Sequence, residues 1–174
     1  MRWLVLTGYM GAGKTSVGRR VAERLGRRFV DADEAIERHA GMSVAEIFPR
    51  KGEVWFRRTE EAVIRGIVAD EPGVLALGGG ALQSAKTRGL VHRDADVVWL
   101  NAPAELLWQR VAGSDRPLAA DRDRFLRRAA ARAAGYREAA HLEVDASAPL
   151  DEAVEAVASW ARGRAGAAEP GAAR

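Results

Sequence analysis

Gly8-Tyr9-Met10-Gly11-Ala12-Gly13-Lys14-Thr15 is the stretch on which the reading of the chain turns. It follows the apolar run Trp3-Leu4-Val5-Leu6, about the length of a buried parallel strand, and opens a helical pattern over residues 16–25. The order is strand, glycine turn, helix. A loop needs glycine where its backbone takes positive φ or approaches a ligand closely, and Gly8, Gly11 and Gly13 supply that freedom. Successive N–H groups of such a loop converge on phosphate oxygens at a helix N-terminus, where the dipole is positive. Lys14 is then expected to reach the β/γ-phosphates as a mobile point charge, and the Thr15 hydroxyl to sit on Mg²⁺. The plainer alternative is a glycine turn before an ordinary helix. The strand before the motif and the helix after it favour the phosphate loop.

With 174 residues, 48% of them hydrophobic, the chain can bury the core of one α/β domain. One domain is expected over 1–162, followed by a disordered Ala/Gly/Arg/Pro/Glu tail over 163–174. Cys is absent, which excludes disulfides, thiolate zinc sites and cysteine nucleophiles. His39, His92 and His141 are far apart and show no ligand spacing. The first apolar run is too short for a signal peptide, and no run approaches the roughly 20 residues of a membrane span. A cytoplasmic location without membrane partners is therefore expected. The 27 basic residues are interleaved with 24 acidic ones, giving a net charge of +3, so nucleic acid is not an expected partner. An anionic small substrate suits a modest arginine surplus, because Arg grips carboxylates and phosphates bidentately.

Past the first helix, a short strand at 29–30 runs into Asp31-Ala32-Asp33. Strand, helix and strand within about 30 residues make a βαβ unit, so the sheet should be parallel. Ligands of such sheets bind at the carboxyl ends of the strands, which puts Asp31 and Asp33 on the rim that carries the glycine loop. If the chain is still extended there, both point the same way. Alternatively, one of the two caps the next helix, 34–39. Ser43-Val44-Ala45-Glu46 has the form of a capping box, opening a short helix that Pro49 would end, and a longer helix is expected over 52–69. A third strand, 74–77, runs into Gly78-Gly79-Gly80. Three glycines there suggest close backbone approach to a ligand rather than a bare turn. A fourth strand at 96–100, a helix at 103–111, a polar lid at 112–123, a helix at 124–134, a fifth strand at 141–145 and a helix at 150–162 complete the pattern.

A phosphate loop alone leaves kinases, GTPases and motor-type ATPases open. The sole Asn, Asn101, is followed by Ala-Pro-Ala, so the Asn-Lys-x-Asp segment that reads guanine is missing. The third strand ends in glycines rather than in a Walker B aspartate, which leaves Asp31 as the candidate on the metal side. A small kinase with a lid remains. At this point the residues carry a resemblance: 8–16, Asp31-Ala32-Asp33, Phe56-Arg57-Arg58, Gly78-Gly79-Gly80, Arg116-Pro117-Leu118, and Arg132 followed by Tyr136 are together similar to the shikimate kinase family, over roughly residues 3–160.

The resemblance implies a three-layer α/β sandwich of the P-loop kinase type, with a central five-stranded parallel sheet in the order 2-3-1-4-5 and a mobile lid. It implies ATP as co-substrate, held by Gly11, Ala12, Gly13, Lys14, Thr15 and Ser16. Mg²⁺ would sit on Thr15, with Asp31 reaching it through water. Asp33 would hold the ring hydroxyls of shikimate and act as base. Arg57 and Arg132 would hold its carboxylate, and the glycine turn, Gly78, Gly79 and Gly80, would lie against it, with Gly79 offering its backbone. Arg116 in the lid would close over the phosphates, and Arg110 would lie against adenine. The implied activity is phosphorylation of the 3-hydroxyl of shikimate in aromatic amino-acid biosynthesis, by a monomer with a substrate segment at about 32–60. A gluconokinase-like or other small-metabolite kinase and a non-catalytic nucleotide-binding regulator are the alternatives.

Read from the residues alone, Arg57 could be a solvated partner of Glu60 or Glu61, Arg132 competes with Arg127 and Arg128, and Arg110 could merely complement a helix C-terminus. Two departures stand out. Asp145-Ala146-Ser147-Ala148-Pro149 lacks the threonine usual in the family's adenine-side loop, and Ala134-Gly135 replaces the more usual Ala-Pro.

Overall fold

The computed structural model describes residues 1–113 and 121–167. Five strands, β1 (Trp3–Thr7), β2 (Phe29–Asp31), β3 (Val74–Ala76), β4 (Ala95–Asn101) and β5 (Leu142–Asp145), pair in parallel in the order β2-β3-β1-β4-β5. β1 lies in the middle and is buried along its whole length, which is why it reads as an unbroken apolar run rather than an alternating one. The helices are α1 (Lys14–Leu25), α2 (Ala32–Ala40), α3 (Val44–Val68), α4 (Ala85–Asp94), α5 (Ala104–Val111), α6 (Arg122–Ala139) and α7 (Leu150–Ala167). α1 and α7 pack together on one face, α4 and α6 on the other, giving the expected three layers.

Parallel pairing brings the carboxyl ends of the strands to one edge, where Asp31 is level with Ala76 and Asn101 with Asp145. The glycine loop after β1, the turn after β3 and the loops after β4 and β5 therefore share one rim. A small separate cluster of Ile36, Ile47 and Phe56 supports the 32–60 segment beside it.

Several boundaries differ from those read in the sequence. The capping box forms, with the Ser43 hydroxyl accepting from the Glu46 N–H and the Glu46 carboxylate from the Ser43 N–H, but Pro49 does not end the helix. Proline there removes only its own N–H from the ladder; the break comes at Gly52, whose φ of 81° and ψ of 165° suit glycine alone. Residues 81–95, which carry no strong amphipathic pattern, form a 3₁₀ turn (Ala81–Gln83) and α4. α6 begins earlier and ends later than expected. α7 runs through Gly163 to Ala167, so the first part of the expected disordered tail is helical, while 168–174 lie outside the described residues.

Candidate active site

The glycine loop is held by what surrounds it. A Cβ on Gly8 (φ 142°) would come 2.4 Å from the Leu100 carbonyl oxygen, and one on Gly11 (φ 86°) 2.7 Å from that of Leu107, so the loop lies against β4 and α5 where no larger residue fits. Gly13 (φ 83°) caps α1, and Lys14 is its first residue. The Lys14 ammonium folds back to donate to the carbonyls of Gly8 (2.9 Å) and Tyr9 (3.1 Å), which keeps the charge over the mouth of the loop. Thr15 Oγ1 donates to Asp31 Oδ2 at 2.8 Å. These are hard oxygen donors beside a phosphate loop, a set that fits Mg²⁺, which takes few protein ligands and completes its shell with water and phosphate.

Asp31 has a second task. Its Oδ1 accepts from the N–H groups of Asp33 (3.0 Å) and Glu34 (3.4 Å), so Asp31, not Asp33, is the N-cap of α2. The chain has already turned helical at Ala32, and the expectation that Asp31 and Asp33 project together as alternate strand residues fails for that reason. Asp33 instead reaches across to the glycine turn. A Cβ on Gly78 would lie 2.6 Å from Asp33 Oδ1 and 3.0 Å from Glu60 Oε1.

Two arginines meet the same turn from different helices. Arg57 on α3 lies against Gly80, where a Cβ would fall 2.5 Å from its guanidinium, and donates to Glu60 Oε2 at 2.7 Å. Arg132 on α6 donates to the Gly79 carbonyl at 3.2 Å, and the Tyr136 hydroxyl donates to the same oxygen. Of the arginines between which the sequence left a choice, Arg132 is the one with this contact. The Gly79 carbonyl is thus occupied, and in a trans peptide the N–H of Gly80 points the opposite way.

Glu60 escaped the sequence reading. The sequence offers it only as one of two neighbours that could pair with a solvated Arg57, yet it is only 3% exposed. Burial pushes its carboxyl above the usual carboxylate range and the Asp33 charge adds to this, while Arg57, by charge and hydrogen bond, and Arg132 oppose it. A signal was available: Phe56, Glu60 and Ile64 form one i, i+4 row, and all three are buried.

On the other side of the loop, Arg110 donates to the Gly11 carbonyl at 3.3 Å, so it does more than complement a helix end. Beyond it an open cleft of about 380 Å³ is lined by Asn101, Ala102, Pro103, Glu143 and Asp145. In the short loop after β5 the Ser147 N–H and hydroxyl both turn onto Asp145, which holds that carboxyl below its ordinary value. Arg116, Pro117 and Leu118 lie outside the described residues.

A phosphate loop at the carboxyl edge of a parallel sheet ordered 2-3-1-4-5 defines a P-loop kinase. The family model for shikimate kinase matches residues 10–162. The chain is 44% identical over 147 residues to the shikimate kinase of Symbiobacterium thermophilum, covering 81% of this chain and 84% of that one. It superposes on the shikimate kinase from Acinetobacter baumannii in complex with shikimate with a TM-score of 0.87 and 35% identity, over 97% of this chain and 95% of that one. The chain therefore belongs to the shikimate kinase family, and it is an enzyme of that family. Its likeness to a gluconokinase from Sinorhizobium meliloti, at 17% identity and a TM-score of 0.57 over 97% and 98% of the two chains, is one of fold.

Proposed function

We propose that this enzyme transfers the γ-phosphoryl group of ATP to the 3-hydroxyl of shikimate, a step of aromatic amino-acid biosynthesis, and that Asp33, Arg57, Arg132 and the glycine turn are its acceptor site. The observation that carries the reading is the meeting of Arg57 and Arg132, from α3 and α6, on adjacent residues of one turn that Asp33 also touches. Two guanidinium groups converging on one turn suit an acceptor that carries a carboxylate better than a neutral sugar.

Phosphoryl transfer leaves the protein little covalent work, so positioning and charge neutralisation dominate. Asp33 accepts the proton of the attacking hydroxyl and orients its oxygen. The loop N–H groups from Gly11 to Ser16 and the Lys14 ammonium hold the phosphates. Arg116 in the lid adds positive charge over them, and closure of the lid, about 112–123, excludes water as a competing acceptor. Thr15, with Asp31 acting through water, would hold Mg²⁺, which neutralises phosphate charge when bound. Arg110 and the cleft beyond it take the adenine. As proposed, a single domain over 1–162 works as a cytoplasmic monomer on small molecules alone. No described helix is long and apolar enough to cross a membrane.

ADP release with ATP and Mg²⁺, comparing shikimate, gluconate, nucleoside monophosphates and no acceptor, tests the reading. Turnover with shikimate alone is expected. Turnover with another acceptor instead would overturn the carboxylate clamp. In the same assay Asp33→Asn should keep nucleotide affinity and lose roughly 10²- to 10⁴-fold in kcat; an unchanged rate would remove Asp33 from the base role.

A further inference from the structure

Tyr9 sits within the phosphate loop, yet its ring is turned toward the acceptor side. It is 3% exposed, and its hydroxyl has no hydrogen-bond partner among the described residues. The Arg132 guanidinium carbon lies 5.3 Å from the ring centroid. The ring is held in turn by Phe125, edge-on at 4.8 Å, and Phe125 by Trp108 at 5.4 Å, a line of aromatics that ties α5 and α6 to the loop. Gly79, whose carbonyl anchors Arg132, also stands close to the loop: a Cβ there would lie 3.5 Å from the Met10 nitrogen.

Arginine carries several rotatable bonds, and fixing it costs side-chain entropy each time it clamps a ligand. Here a hydrogen bond to Gly79 fixes one edge of the guanidinium, and the Tyr9 face fixes its plane. A desolvated cation–π contact is the stronger kind. We infer that Tyr9 is a positioning residue for the acceptor: its ring, not its hydroxyl, is the platform that presents Arg132 to the substrate carboxylate, so the phosphate loop itself carries part of the acceptor clamp. This rests on the proposed role of Arg132 as that clamp. It also supplies a physical link between the two halves of the site, since any movement of the loop backbone at 8–10 displaces the platform.

The test is a double-mutant cycle read in KM for each substrate. Tyr9→Leu should raise KM for shikimate about five- to tenfold, with KM for ATP changed less than about twofold. Tyr9→Phe, which keeps the ring, should retain the low KM for shikimate. In an Arg132→Ala background, Tyr9→Leu should add less than about twofold, because the two residues act as a unit. If Tyr9→Leu does not fold, Tyr9→Met takes its place with the same readings. An equal rise in both KM values would make Tyr9 a structural part of the phosphate loop and overturn the inference. So would Tyr9→Phe behaving like Tyr9→Leu. If Arg132→Ala raises KM for shikimate while Tyr9→Leu does not, the platform fails alone; if Arg132→Ala leaves that KM unchanged, the clamp itself is wrong and the platform falls with it.

Discussion

Glu60 Oε2 accepts from Arg57 Nη1 at 2.7 Å with 4% of the glutamate side chain exposed, against 28% for the arginine. The glutamate is therefore the buried member of the pair and the arginine the more exposed one. A second carboxylate, Glu53, approaches Arg57 at 3.5 Å but is largely exposed, so it is screened and replaceable. Glu60 thus aims Arg57 at Gly80. Glu60→Gln keeps the shape and weakens a charge-assisted bond to an ordinary one, and should raise KM for shikimate by about tenfold while leaving KM for ATP in place. Glu60→Ala should do the same and also lower stability by about 1–3 kcal/mol, read as a shift in the denaturant midpoint. Unchanged acceptor KM in both variants would confine Glu60 to folding.

Asp31 joins a metal-side contact to a helix cap, Oδ2 to Thr15 and Oδ1 to the N–H groups of Asp33 and Glu34. The two tasks separate by substitution. Asn caps as well as Asp, so Asp31→Asn should hold the melting temperature near that of the parent protein while raising the Mg²⁺ concentration needed for half-maximal rate. Asp31→Ala should lose both, with about 1 kcal/mol of stability gone. Because α2 carries Asp33 in its first turn, fraying there should also lower kcat in the alanine variant alone. Equal effects of the two substitutions on kcat would show that the cap does not hold Asp33.

The motif and the strand-helix alternation were enough to set out the sheet, because a phosphate loop constrains its own flanking elements and buried parallel strands are written as apolar runs. Asp33 and the two arginines were legible only through their company, since an arginine in a helix looks the same whether it is solvated or aimed. The burial of Glu60 was legible only through its place in the row of Phe56 and Ile64, since a charged residue by itself does not show the packing around it. The cap falls to Asp31 because the helix begins at Ala32, two residues before the start at 34 that the sequence suggested. The orientation of the Tyr9 ring depends on Phe125 and Arg132, more than a hundred residues away, and no local pattern contains it. α4 went unseen because its sequence, 85–94, mixes Lys, Arg, Gly and His with only a weak apolar face.

Gly80 is a site at which added volume should strike function and spare the fold. The three atoms nearest a Cβ there all belong to the Arg57 guanidinium, at 2.5–2.8 Å, the far end of a flexible side chain that can swing aside. Gly80→Ala should therefore change stability by less than about 1 kcal/mol while raising KM for shikimate severalfold, because Arg57 is pushed off its aim. Gly18→Ala is the comparison. Its Cβ would lie 2.5 Å from Phe29 Cε2 and 3.2 Å from Leu6 Cδ1, inside the core between α1 and the sheet. It should cost about 1–3 kcal/mol, with activity per folded molecule unchanged. If Gly80→Ala melts early and binds shikimate normally, the contact between Gly80 and Arg57 has no part in acceptor binding.

Far from the site, at the amino-terminal ends of β4 and β5, the rings of His92 and His141 stack at 4.7 Å with an interplanar angle of 6°. The Val97 N–H donates to His141 Nδ1 at 3.1 Å, so that nitrogen holds a lone pair and the ring is neutral in the folded protein. Burial lowers the His141 pKa, and His92, Arg164 and Arg2 push in the same direction against the opposing charge of Asp96. His92 Nδ1 faces the Ala139 carbonyl on α6 at 3.3 Å, and Arg164 and Arg2 are themselves engaged with Asp96. The sign follows from linkage. The unfolded chain binds a proton on His141 near pH 6.5 and the folded chain only at lower pH, so stability is fully present above about pH 6.5 and is lost as pH falls toward the folded value. Protonation costs the Val97 hydrogen bond as well, so that loss should release the start of β4 from its neighbour. Urea midpoints compared at about pH 7.5 and about pH 5.5 should fall more for the parent protein than for His141→Asn, which keeps an acceptor near Val97 but does not titrate. Parallel losses in the two proteins would assign the acid sensitivity to carboxylates elsewhere, and kcat per folded molecule should be the same for both, since the stacked pair lies at the opposite end of the strands from Asp33.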